Sequence, residues 1–116
     1  MLQLSPQSRI FIATEPVDFR KGIDGLAAVC RQSLGENPLE GAIYVFRNRS
    51  ATALKLLAYD GQGYGLAMKR LSQGRFTWWP QSADARLPLS ARELSVLLWN
   101  GNPHGAQMAR DWRRVA

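Results

Sequence analysis

Between Ala42 and Trp79 the chain runs through short β-branched and aromatic segments separated by polar turns, which commits this third of the molecule to consecutive strands rather than to helix. Ala42 to Phe46 (Ala-Ile-Tyr-Val-Phe) stops at the polar turn Arg47-Asn48-Arg49-Ser50. Leu54 to Tyr59 leads into Asp60-Gly61-Gln62-Gly63, and Tyr64 to Leu71 carries the chain back, a hairpin pattern. A three-residue loop with Gly63 in the left-handed region pairs Ala58 with Leu66 and Leu56 with Met68, giving one apolar face. The same register sets Lys55 directly across from Lys69, and like charges so placed destabilise a sheet by about a few tenths of a kcal/mol or more. An anionic partner relieves that repulsion. After the turn at Gln73 and Gly74, a last strand is expected over Arg75 to Trp79, ended or pushed to the edge by Pro80.

Charge is concentrated in the same stretch. Arg47, Arg49, Lys55, Lys69, Arg70 and Arg75 stand there against a single acid, Asp60, and so supply five of the formal net charge of +6. With a pI near 10.3, an electrostatic footprint of this kind points to a polyanion such as nucleic acid. The competing reading is that the charge only solubilises the sheet and that Phe76, Trp78 and Trp79 are core residues.

The flanking segments supply helices. Arg9 to Ala13 has strand character and ends at Thr14-Glu15-Pro16, where proline keeps the preceding residue extended. Asp18 is then a candidate N-cap, and Ile23, Leu26, Ala27, Cys30 and Leu34 recur at helical spacing up to Gly35. In this reading Arg20 and Lys21 fall in the helix's first turn, where the macrodipole disfavours cations, and Gly22 and Gly25 weaken the helix by up to ~1 kcal/mol each. Two explanations stand open. Either the helix N–H groups and the two cations form an anion site, or the cations are merely solvated and the glycines permit close packing on the sheet. Glu36 to Gly41 reads as a loop, as does Gln81 to Pro88. Ser90 and Glu93 then form a capping box, with Leu89 and Leu94 as a hydrophobic staple, opening a helix from about Ala91 to Trp99 that Asn100 and Gly101 stop. Residues 102–116 read as a peripheral basic tail with room for a short helix.

Several chemistries find no support. One cysteine, Cys30, and one histidine, His104, give neither a disulfide nor zinc-ligand spacing, so no metal is expected. Asp18, Asp24 and Asp60 suit a cap, an exposed helix position and a turn better than a two-metal nuclease site, and no triad spacing recommends a nucleophile. No catalytic residue and no cofactor is assigned, and an enzyme is not expected. The N-terminal Met-Leu-Gln-Leu-Ser-Pro shows no basic leader and no long apolar run, so the cytoplasm is the expected location and no membrane partner is expected.

Six blocks occur together in order: Asp18-Phe19-Arg20-Lys21-Gly22-Ile23-Asp24-Gly25, Val45-Phe46-Arg47-Asn48-Arg49, Leu54-Lys55-Leu56-Leu57, Asp60-Gly61-Gln62-Gly63-Tyr64, Lys69-Arg70-Leu71 and Gly74-Arg75-Phe76. Over roughly residues 5 to 101 the chain resembles the TnpB accessory protein, the second open reading frame of IS66-type bacterial insertion sequences, a family unrelated to the RNA-guided nuclease that shares that name. The resemblance implies a role in transposition, beside a separate transposase that carries the catalytic acids. Ala58-Tyr59 and Gly65-Leu66-Ala67-Met68 depart from a family pattern that is more often aromatic there, and the tail beyond Gly101 has no counterpart.

The sequence thus predicts a single α+β domain over residues 1–116, with its core at about 5–101. Its sheet is mainly antiparallel, of roughly four to six strands, with two principal helices on one face. The expected function is an accessory role in transposition through DNA bound by the basic β-meander. Arg20, Lys21, Arg47, Arg49, Lys55, Lys69, Arg70 and Arg75 are the candidate phosphate contacts, and Trp78 the candidate base-stacking residue. The alternative is a non-enzymatic adaptor that binds the transposase or another accessory protein through the sheet edge or the Trp99 helix, without direct DNA contact.

Overall fold

The computed structural model describes residues 7–105. Five strands, β1 (Ile10–Ala13), β2 (Ile43–Arg47), β3 (Ala53–Tyr59), β4 (Tyr64–Arg70) and β5 (Arg86–Leu89), form one sheet in the order β4-β3-β2-β1-β5. Helices α1 (Ile23–Gln32) and α2 (Ala91–Leu98) complete the α+β domain, with a single 3-10 turn over Pro38–Glu40. Pairing is antiparallel except between β1 and β2, which run parallel because α1 carries the chain from one to the other. The expected fold class is therefore the one observed, as a mixed sheet.

Strand alternation divides the core in two. Ile10, Ile12, Ile43, Val45, Leu54 and Leu56 face Leu94 and Leu97 of α2. Ala13, Tyr44, Phe46 and Leu57 face Leu26, Ala27 and Cys30 of α1. The two helices thus cover opposite faces of the sheet, not one face as expected. The sequence carries the reason: β2 is buried at every position from Ile43 to Phe46, and a strand apolar on both sides needs a layer on each. Burial also pushes the Cys30 thiol up to about 12, which makes it an inert packing group.

The hairpin differs by one residue from expectation. Ala58 pairs with Gly65, Leu57 with Leu66, Lys55 with Met68 and Leu54 with Lys69. Asp60 causes the shift: its Oδ1 accepts the N–H groups of Gln62 and Gly63, closing a four-residue loop in which Gly61, not Gly63, has positive φ. A one-residue slip moves side chains to the other face. Lys55 and Lys69 consequently lie on opposite sides of the sheet, and the anticipated repulsion does not exist.

Two further expectations fail. Arg75–Trp79 is not a strand: Asn100 holds it in place of a neighbouring strand, its Nδ2 donating to the Arg75 carbonyl and its Oδ1 accepting from the Thr77 N–H. The fifth strand is instead β5, at one edge of the sheet and mostly inside the stretch read as loop. Pro88 disguises it, yet an edge position beside Phe11 tolerates a residue without an N–H. The helix starts also divide. The Ser90–Glu93 capping box of α2 forms as expected, whereas Asp18 does not cap α1. Gly22 occupies that N-cap without any side-chain bond, and Arg20 and Lys21 precede the helix. Of the expected basic tail, residues 106–116 lie outside the described residues.

Candidate nucleic-acid interface

The parallel pairing of β1 and β2 brings both of their C-terminal ends to one end of the sheet, and β3 and β4 follow. Arg47 ends β2, the turn Asn48–Thr52 leads into β3 at Ala53, and Ala53 pairs with Arg70 at the end of β4. The Phe76 N–H donates to the Ala51 carbonyl, which returns the segment carrying Arg75 to the same place. The Val17 N–H donates to the Arg47 carbonyl, which ties in the segment leading to Arg20 and Lys21. Topology thereby collects Arg20, Lys21, Arg47, Arg49, Arg70 and Arg75 from four separate stretches of chain. An open groove at this end is lined by Val17, Asp18, Phe19, Asn48, Arg49 and Ser50, so that Arg49 is the cation in its wall.

Asn48 builds one wall. Its Oδ1 accepts the N–H groups of Thr52 and Ala53 and its Nδ2 donates to Thr52 Oγ1, which holds Ala51 at a φ of 59° and presents Arg49 and Ser50 to solvent. On the other wall Asp18 accepts the Arg20 backbone N–H at 2.9 Å and three guanidinium bonds, from Nε at 3.2 and 3.0 Å and from Nη2 at 2.7 Å. These bonds hold the Asp18 carboxyl at about 2. The Arg20 side chain nevertheless remains 92% exposed.

The candidate cations are not equivalent. Arg20, Lys21, Arg49, Arg70 and Arg75 are exposed. Arg47 is half-buried with its guanidinium 5.6 Å from the centre of the Trp79 ring, and its Nε is buried without a partner. Lys69 donates to the Leu98 carbonyl and lies 5.4 Å from the Trp99 ring centre. Lys55 is buried: its Nζ donates to the carbonyls of Phe19 at 2.8 Å and Lys21 at 2.9 Å and sits 4.9 Å from the Phe19 ring centre. These bonds tie it to the loop that carries Arg20 and Lys21. Trp78 is half-buried against the α2-side core and the His104 ring, and Trp79 donates its indole N–H to the Ala13 carbonyl. Asn48 and Asn100, read from the sequence only as a turn residue and a helix stop, hold these segments with side chains that act as backbone surrogates. An asparagine beside a turn or helix end signals that use only once the chain returns to it.

A second polar cluster lies on the α1 face. Arg86 Nη2 meets Glu36 Oε2 at 2.8 Å, and the fully buried Tyr44 donates to Glu36 Oε1 at 3.2 Å. Burial and the nearby Glu36 charge raise the Tyr44 pKa, so it stays neutral and structural. Among the described residues no three of His, Cys, Asp and Glu gather as a metal site, and no helix is long and apolar enough to cross a membrane.

This is a small mixed-sheet domain with exposed cations brought together at one end of its sheet. The IS66 Orf2-like protein family matches residues 8–107, and the chain belongs to that family. It is an accessory protein of insertion-sequence transposition. Two proteins of Sinorhizobium fredii (strain NBRC 101917 / NGR234) are similar to it. Uncharacterized protein y4hO is 42% identical over 98 residues, covering 84% of each chain. Uncharacterized protein y4jC is 37% identical over 107 residues, covering 92% of this chain and 83% of its own. No solved structure matches.

Proposed function

We propose that the protein serves transposition by binding DNA non-enzymatically through the basic end of the sheet, with Arg20, Lys21, Arg49, Arg70 and Arg75 as the phosphate contacts. The observation that carries this reading is the return of these exposed cations, from four stretches of chain, to one end of the sheet. Phosphate contacts need accessible positive charge more than a particular fold, and here the fold supplies it at one place. Arg47 and Lys69 support the surface from half-buried positions, and Lys55 acts only by holding the Phe19–Lys21 loop. The cytoplasm, where the element's DNA and transposase meet, is the corresponding location.

The test is a titration of the purified protein against single-stranded and duplex DNA at two salt concentrations. Affinity falls steeply with salt in the wild type, and the triple change Arg20→Ala, Arg49→Ala and Arg70→Ala lowers both the affinity and the salt slope, by about 0.7–0.9 for each phosphate no longer neutralised. All three side chains are exposed, so the fold survives. Equal binding by the triple variant at low salt rules out the basic end as the DNA site, and absence of DNA binding by the wild type leaves the adaptor alternative.

A further inference from the structure

Trp99 is the most exposed large hydrophobic side chain among the described residues, at 76%, while Trp78 and Trp79 are packed. An indole so placed loses hydrophobic stabilisation with no folding benefit in return, and its position is not arbitrary. Helix α2 begins beside Leu89 at the far end of the sheet and runs back to the basic end, where Trp99 is its C-cap. The next residue, Asn100, bonds the backbone of Arg75 and Thr77. The Lys69 ammonium lies 5.4 Å from the centre of the indole ring and is anchored by the Leu98 carbonyl one residue before it. The chain carries no acid between Asp60 and Asp84, so Lys69, Arg70 and Arg75 set the charge of the segments joined to this ring.

An exposed aromatic plane with an anchored cation beside it is suited to an unpaired base stacked on the ring with a phosphate on the neighbouring charge. In duplex DNA the base faces are already stacked on each other, and the ring has nothing to hold. We infer that Trp99 is a stacking platform for a base of single-stranded DNA, which makes single-stranded or locally unpaired DNA the preferred ligand of the basic end. The inference rests on the DNA-binding reading above and names its substrate class. Trp78, the residue singled out by sequence, is the less exposed ring and packs against His104 and the α2-side core.

The experiment compares the wild type, Trp99→Ala and Trp99→Phe in binding to a twenty-residue oligothymidine and to a duplex of equal length, at two salt concentrations. Trp99→Ala weakens oligothymidine binding by roughly 5- to 150-fold, the range of one base stack, leaves duplex affinity within about twofold, and does not alter the salt slope, since the indole neutralises no phosphate. Trp99→Phe retains most of the affinity. Oligothymidine quenches the tryptophan fluorescence of the wild type more than that of Trp99→Phe. Equal losses on both ligands, or none on oligothymidine, overturn the inference. So does unchanged DNA binding by Trp99→Ala together with abolished binding to the transposase, which makes the indole a protein-binding residue. A wild type that binds duplex but not oligothymidine overturns this inference and leaves the broader reading intact. A wild type that binds neither overturns both.

Discussion

The two helices begin in opposite ways. Helix α2 starts from Ser90, whose hydroxyl accepts the Glu93 N–H while the Glu93 carboxylate accepts the Ser90 N–H. Helix α1 starts from Gly22, which has no side chain to offer, and the acid that precedes it, Asp18, is bound to Arg20. What holds the α1 start comes from below: the Lys55 ammonium, rising from β3, binds the carbonyls of Phe19 and Lys21. The first start is local and serves stability. The second depends on a residue far along the chain, and it leaves Arg20 and Lys21 on the surface beside Arg49, where the proposed ligand binds.

The sharpest way to break this comparison is Lys55→Met, which keeps the apolar stem of the side chain and removes the ammonium. Hydrogen bonds to a charged group are worth about 1.5–3 kcal/mol each, and two carbonyls would lose their donor. We expect a destabilisation of at least that single-bond amount in urea denaturation, together with weaker DNA binding as the Phe19–Lys21 loop loses its anchor. An unchanged midpoint would show that the α1 start needs no support from the sheet. Ser90→Ala is the matched test at the other helix. It should cost about 0.5–2 kcal/mol and leave DNA affinity unchanged, because the cap lies at the opposite end of the sheet from the cations. A loss of affinity there would mean that the two ends are coupled.

The smallest effect is the acid response. Ordinary values are 3.8 for Asp18 and 4.5 for Glu93, and both are lowered in the fold. Arg20 holds Asp18 at about 2, and the Ser90 N–H is the main cause for Glu93. A lowered carboxyl pKa contributes stability that is present above the unfolded value and lost as pH falls through the folded one. Stability should therefore decline from about pH 4.5 downward. Glu93→Gln should flatten the upper part of that decline and Asp18→Asn the part nearer pH 2. Asp18 is exposed and its pairing with Arg20 is screened by solvent, so its share is small. A thermal melt series from pH 5 to 2 that is identical for wild type and Glu93→Gln would exclude the capping box from the acid response.

Among these elements, legibility follows the range of the interaction. The α2 cap, the apolar stripe of α1 and the β2–β3–β4 meander all depend on residues within a few positions of each other, and each is readable as a pattern. The hairpin register reads one residue off because two loop closures fit the same Asp-Gly-Gln-Gly, and only the bonds to Asp60 Oδ1 separate them. β5 escapes a sequence reading because Pro88 argues against a strand until an edge position is known. Lys55 reads as a surface charge because its partners are two main-chain carbonyls, which no side-chain pattern announces.

The family, the α+β class, the excess of positive charge in the meander and the start of α2 are all written in composition or in short-range spacing, and need no folded molecule to be seen. That the helices cover opposite faces, that Lys55 lies beneath the Phe19–Lys21 loop, and that Trp99 rather than Trp78 is the exposed ring at the basic end emerge only from the assembled fold. Each of those outcomes is set by strand register and by the return of distant segments to one end of the sheet. A one-residue shift in pairing carries a side chain from one face to the other, and no local pattern in this chain records which shift occurs.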